Sequence, residues 1–388
     1  MRYPRILVFI GVTLFFLLSR YLVFYGFNGA DDLHYGMLAA RMLQGAYNPF
    51  EVNDIFSGRV LLISLQAMIY KLGGISVFTT ALGSITAAIV ACWLTIFKLL
   101  DTRNPVSVLL ATSLFYGNPA VSHATTGILP DAYILLIGTI ILVILKKDFA
   151  QIPSPATIPL AEQRPPGAWQ PNAFIVGLLI AASLLIKEVI IVFLPFVILF
   201  VFTIRAKKAL AYSLNMIAAF SLVIAVFALI YFLFTGDPFF RITQIRNGTY
   251  ANACNFDLRP ARDLWIRLTY GIWQYFILSG FYPVVLAVAG GIAICIQSAG
   301  TKIKHSSEPE RPQAVYHKYM WMSFAIMLLL AIYFPFSLNG YQPLCADSRQ
   351  FLFIVPFAVI AFINFYESTF RTRRNLLVVA CCLLLLLP

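Results

Sequence analysis

Asp31 and Asp32 stand side by side where the first long apolar run of the chain ends, and a helix-like segment carrying His34, Tyr35 and Arg41 starts directly behind them. Charge at a membrane boundary is expensive, so an acidic pair there is either a helix cap or the start of a site. A carboxylate at a helix N-terminus is kept ionised by the helix dipole, which suits a general base but also lowers its proton affinity. One acid can therefore cap while the other reacts. No Cys/His spacing resembles a zinc site, and no glycine-rich strand–helix element resembles a nucleotide cradle.

The elements that must position this pair follow from composition. With 388 residues, 60% of them hydrophobic and 11% charged, and a mean hydropathy of +0.84, the chain carries more apolar surface than a soluble core could hide. The expected class is an all-α polytopic membrane protein. Its first apolar run, about 6–25, is long enough to span a bilayer and has no small-residue cleavage site behind it, so it reads as a retained helix. The net charge of +12 would suggest nucleic acid in a soluble protein. Here the basic residues fall in short clusters between apolar runs, such as Arg2/Arg5, Lys146/Lys147, Arg205/Lys207/Lys208 and Arg371/Arg373/Arg374, so they orient the chain and no nucleic-acid partner is expected.

Placing those clusters in the cytoplasm predicts about 11 transmembrane helices, near 6–25, 75–97, 105–121, 132–145, 173–186, 189–204, 210–234, 271–297, 319–336, 350–366 and 376–388. Four segments then face outward, about 26–74, 118–131, 235–270 and 337–349, and they hold most of the acidic residues. The step on which the parity rests is 173–204, where two short spans meet at Lys187-Glu188; one long tilted helix there would reverse everything downstream. The cytoplasmic linker 146–172 is proline-rich and expected to be unstructured. Cys254 and Cys345 lie in two different outer loops, where an oxidising compartment would let them pair.

Within the first outer loop, Leu33, Met37, Ala40 and Leu43 recur at helical spacing. After a turn near Asn48-Pro49, Leu61, Leu65, Met68 and Leu72 repeat the pattern with Arg59 at its start. Two amphipathic helices lying in the membrane interface are the expected result.

At this point the residues resemble a family. An acidic pair, an aromatic three residues on and a small-residue helix ending in Arg41-Met42-Leu43, directly after the first span, is similar to the first outer loop of the GT-C class of integral-membrane glycosyltransferases, including the protein O-mannosyltransferases and the aminoarabinose transferases of lipid A. Those enzymes carry Asp-Glu followed by x-x-Tyr or x-x-Phe; here the run is Asp31-Asp32-Leu33-His34-Tyr35, with a shortened second acid and His34 where Arg is frequent. Further pieces follow in order: Ser57-Gly58-Arg59 ahead of the second amphipathic helix, Leu129-Pro130-Asp131, Leu185-Ile186-Lys187-Glu188, and Arg349-Gln350-Phe351 with Pro356.

The resemblance implies a sugar taken from a polyprenyl-phosphate carrier and passed, with inversion, to a lipid, glycan or protein hydroxyl on the outer side of the membrane. It makes Asp31 the base, Asp32 a supporting acid and Asp131 a second acid, which in some relatives binds a divalent metal such as Mg or Mn and in others the acceptor. Arg59, Lys187 and Arg349 become candidates for the donor phosphate, with His34 and Tyr35 beside the substrate; guanidinium grips phosphate in a bidentate manner. Structural roles compete with each of these. Lys187 and Glu188 can neutralise one another, Arg349 can pair with Asp347, and Asp131 can cap the helix after Pro130. The expected layout is one transmembrane glycosyltransferase domain over 1–388 without a soluble C-terminal domain, in the cytoplasmic membrane of a bacterium. A transporter or flippase of lipid-linked sugars is the alternative, with charge at the midplane of broken helices.

Overall fold

The computed structural model describes residues 3–22, 29–100, 102–150, 170–247, 260–300, 312–335, 341 and 343–370. Their regular structure is entirely helical: α1 (Tyr3–Leu22), α2 (Ala30–Leu43), α3 (Val60–Gly73), α4 (Val77–Leu94), α5 (Pro105–Tyr116), α6 (Pro119–Ala124), α7 (Pro130–Ala150), α8 (Pro171–Ser183), α9 (Phe193–Thr235), α10 (Phe240–Asn247), α11 (Ala261–Ile266), α12 (Ile272–Leu278), α13 (Tyr282–Gly300), α14 (Pro312–Tyr333) and α15 (Val355–Phe370). Among the described residues, four stretches are long and apolar enough to cross a membrane: Tyr3–Leu22, Val77–Leu100, Ala209–Thr235 and Arg349–Thr369. Shorter apolar helices include Pro105–Tyr116, Pro171–Ser183, Glu188–Ile204, Tyr282–Ile296 and His317–Tyr333. The expected span 376–388 lies outside the described residues.

Two expected spans are interrupted. The run 105–121 stops at Tyr116 because Asn118 begins a new helix, its side chain accepting from the Ala120 amide at 2.9 Å with Pro119 in the first turn. The run 271–297 breaks at Gly280, whose φ of +74° suits glycine. A side chain at Gly280 would also press on Pro119, 2.8 Å from its Cγ.

The chain forms two compact units. One comprises 1–28, 84–139 and 253–388. There α1 packs on α5, with Phe16 stacked on Tyr116 at 4.3 Å, and α15 packs against α5, α13 and α14. Gly290 lets α13 approach α15: a methyl there would lie 2.9 Å from the Phe365 ring. The most apolar window of Arg349–Thr369 is 78% buried, so this helix is core.

The other unit comprises 29–83 and 140–252. α2 packs on α3, and α8 packs on α9 so closely that a methyl on Gly177 would overlap the Met216 carbonyl. α8 ends at Ser183, and a 3-10 turn over Glu188–Val192 leads into α9, so 173–186 and 189–204 are not one helix. The 43 helical residues of α9 would measure roughly 65 Å if straight. Glu188 before it and Arg241 after it are nonetheless ion-paired, so the run must double back, leaving Glu188–Ile204 and Ala209–Thr235 as two arms. The second arm is only 6% buried, as a lipid-facing helix would be.

Candidate functional site

Gly29, in extended backbone, takes the N-cap position of α2, so Asp31 and Asp32 both lie inside the first turn and neither is the N-cap. Asp32 is buried and Asp31 half-buried. A methyl group on Gly29 would sit 3.4 Å from Asp32 Oδ1, so this carboxylate folds back over the helix start, where first-turn amides and the dipole favour negative charge. The two acids are thus divided by environment, one turned to the cap and the other partly open.

The apolar stripes predicted for α2 and α3 point away from the protein. Leu33, Met37 and Leu43 are exposed on α2, as are Met68 and Leu72 on α3, while the buried faces carry Asp32, Tyr35 and Leu38, and Leu62, Gln66 and Tyr70. That inversion is the arrangement of a helix whose greasy side rests in lipid.

His34 is half-buried and engaged: its Nε2 lies 2.8 Å from Asp54 Oδ2, and Asp54 Oδ1 accepts from the Phe56 amide. Tyr35 is fully buried, and its hydroxyl receives a hydrogen bond from Arg59 Nη1. Burial pushes the Tyr35 phenol up, so it stays protonated. Arg59 Nη2 meets Glu188 Oε2 at 3.0 Å, and the guanidinium also lies 5.5 Å from the centroid of the Phe56 ring. Burial alone would lower the Arg59 pKa, but Glu188 and Tyr35 outweigh it and the net direction is up.

Glu188 is the hub. Its Oε1 pairs with Arg241 of α10, and Arg241 Nη1 donates to the Ile55 carbonyl at 2.9 Å and to Gln244 Oε1. Gln244, fully buried, donates through Nε2 to the Glu51 carbonyl at 2.8 Å and to Ser57 Oγ at 3.0 Å. Tyr47 closes the loop by donating to the Ser57 carbonyl. Burial tends to raise the Glu188 carboxyl, but Arg59 and Arg241 dominate and hold it down at about 2. Gly58 makes this packing possible, since a methyl there would overlap the Arg241 guanidinium and Gln244 Oε1. Lys187 adjoins the hub in extended backbone, its amide donating to the Ser183 carbonyl at 3.0 Å.

Asp131, Arg349 and Cys345 belong to the other unit. α7 begins at Pro130, so Asp131 is buried inside the first turn and is not the cap. Among the described residues no group of three or more His, Cys, Asp or Glu side chains could hold a metal ion. Arg349 is clasped by Asp347, with Nε and Nη2 each 3.1 Å from Oδ2, while Asp347 Oδ1 accepts the Arg349 amide at 3.0 Å. Cys345 is disulfide-bonded; Cys254 lies outside the described residues.

Sequence reasoning passed over Arg267. It sits at the start of a π-helical turn between α11 and α12 and is only 6% exposed. Nη2 donates to the Leu344 carbonyl at 3.0 Å, while Nε and Nη1 have no partner among the described residues. Burial pulls its pKa down, with Tyr341 and Tyr333 opposing. An arginine in a segment between apolar runs gives no sequence signal that it will be buried with donors to spare.

No protein-family profile matches the sequence, and no curated protein matches it. Among solved structures, ArnT from Cupriavidus metallidurans in the apo state is similar, with a TM-score of 0.55 at 14% identity over 92% of this chain and 59% of that one. The same protein bound to undecaprenyl phosphate matches with a TM-score of 0.52 and the same identity and coverage. The chain therefore spans about three-fifths of the ArnT it matches. The polytopic, all-α architecture expected from the sequence is the one observed, and its fold is similar to that of ArnT.

Proposed function

We propose that this protein is a membrane glycosyltransferase that uses a polyprenyl-phosphate sugar as donor. The observation that carries the reading is the shared fold with ArnT, one structure of which holds undecaprenyl phosphate. In the reaction we assign, the Asp31 carboxylate takes the proton of an acceptor hydroxyl as that oxygen bonds to the anomeric carbon. The bond from that carbon to the carrier phosphate breaks, and its electron pair leaves with the phosphate, inverting the centre. The half-buried Asp31 at the start of α2 suits a base, and the folded-back Asp32 suits a supporting acid. Arg267 has the chemistry to hold an anionic group of a donor, because two of its donors are buried without a partner among the described residues. Lys187 and Arg349 remain phosphate candidates, Arg349 only after exchanging Asp347. The acceptor is a hydroxyl on a lipid, glycan or protein at the outer face of a bacterial cytoplasmic membrane.

The test is consumption of a panel of labelled polyprenyl-phosphate sugars by the protein in lipid, with Asp31→Asn run beside wild type. Wild-type turnover that falls by ~10²-fold in the variant, the size expected for loss of a general base, supports class and residue together. Equal turnover in both keeps the class and makes Asp31 a helix-start residue. Movement of a labelled carrier across the bilayer without sugar transfer would overturn the reading in favour of a transporter.

A further inference from the structure

Glu188, Arg59 and Tyr35 join three segments that are far apart in sequence, and they end on the helix that carries the acidic pair. Glu188 lies 129 positions from Arg59, at the start of the 3-10 turn between α8 and α9. It fixes Arg59 Nη2 at 3.0 Å, and Arg59 Nη1 passes the constraint to the Tyr35 hydroxyl. Tyr35 stands four residues after Asp31, on the same face of α2.

α2 needs such a constraint. Its N-cap Gly29 supplies no side-chain hydrogen bond, and its exposed stripe of Leu33, Met37 and Leu43 is non-directional, because apolar contact with lipid fixes a rotation about the helix axis only loosely. A buried hydrogen bond to a charged group is directional and sets that rotation. The far side of the device is braced as well: Arg241 and Gln244 of α10 hold Glu188 Oε1 and the loop at 49–57.

We infer that Glu188 and Arg59 are positioning residues: through Tyr35 they fix the rotation of α2 and so the direction in which Asp31 points. This gives Arg59 a task other than gripping the donor phosphate, and it deepens the glycosyltransferase reading, on which its kinetic consequence rests.

Two variants keep the volumes of the node and remove its links, Tyr35→Phe and Glu188→Gln, each in the full chain in lipid. Amide hydrogen exchange is read first, because it needs no substrate. The first turns of α2 should exchange several-fold faster in both variants while α8 is unchanged. Steady-state turnover of the polyprenyl-phosphate sugar that wild type accepts is read second: kcat should fall by about 10-fold with KM for the donor unchanged, since small misplacement of a reacting group costs rate. Unchanged exchange in α2 in both variants overturns the inference, whatever the kinetics. A KM that rises with kcat constant also overturns it, and returns Arg59 to donor binding. If wild type turns over no donor, the glycosyltransferase reading fails, and the exchange result alone decides whether Glu188 and Arg59 position α2.

Discussion

Two buried arginines, one in each unit, are handled in opposite ways. Arg59 has both terminal nitrogens engaged, by the Tyr35 hydroxyl and the Glu188 carboxylate, and aromatic faces at Phe56 and Tyr35 cover its plane. Arg267 is at least as buried, yet its one hydrogen bond among the described residues goes to the Leu344 carbonyl, and Nη1 is left over in addition to the Nε that both arginines leave without a partner there. Burying a charge with donors to spare is costly, so such an arrangement calls for a partner that the described residues do not supply. The difference separates a cation that holds the structure together from one that is available to an anion.

Replacing each arginine by methionine should give opposite results, and this is the largest effect the comparison predicts. Arg267→Met removes a buried charge that has no carboxylate partner among the described residues, so thermal stability in detergent should hold or rise, while kcat/KM for the donor falls by ~10²-fold through loss of charge-assisted contacts. Arg59→Met leaves the buried Tyr35 hydroxyl and one Glu188 oxygen without their donor, and should cost roughly 2 kcal/mol, seen as a lowered Tm. Were Arg267→Met to lower the Tm sharply and leave turnover intact, the two residues would have been assigned the wrong way round.

The same contrast shows what was legible in the sequence. The extents of α2 and α3 could be read from the spacing of Leu33, Met37 and Leu43 and of Leu61, Met68 and Leu72, because helix periodicity is local. The stripe alone does not say whether it faces protein or lipid; in a membrane protein it faces out, and the polar residues Asp32 and Gln66 go inside. Interruptions at Asn118 and Gly280 carried local signals, a capping Asn-Pro and a glycine, that were absorbed into long apolar runs. The Asp31-Asp32 pair was conspicuous because it is adjacent in sequence. The Glu188 hub was not, because the arginines that bind it stand 129 and 53 positions away. Arg267 was invisible for the same reason, since its surroundings are assembled by the fold.

A smaller perturbation sharpens the Arg59 side. Gly58→Ala places a methyl where the Arg241 guanidinium and Gln244 Oε1 lie. Both are ends of flexible side chains and can swing away, so the cost is the bonds they abandon at Ile55, Glu51, Ser57 and Glu188, about 1–3 kcal/mol. The checking measurement is a Tm scan of Gly58→Ala alone and combined with Arg241→Met. If the hub transmits the damage, the two losses are less than additive; full additivity would mean that Gly58 acts on something else.

The smallest effect is acid sensitivity. Held at about 2 by Arg59 and Arg241, well below an ordinary carboxyl, Glu188 binds fewer protons in the folded chain than in the unfolded one. Stability from this depressed pKa is fully present above the ordinary carboxylate pKa and is lost as pH falls toward and through about 2. Arg267 contributes no comparable acid-sensitive stability, because no carboxylate is among the groups that shift it. Tm profiles from neutral to strongly acidic pH should therefore show wild type above Glu188→Gln at neutral pH and converging on it in acid, whereas the gap between wild type and Arg267→Met should stay flat over the same range. A wild-type and Glu188→Gln gap that is independent of pH would mean that the carboxylate charge does not hold the hub, and that shape and neutral hydrogen bonds suffice.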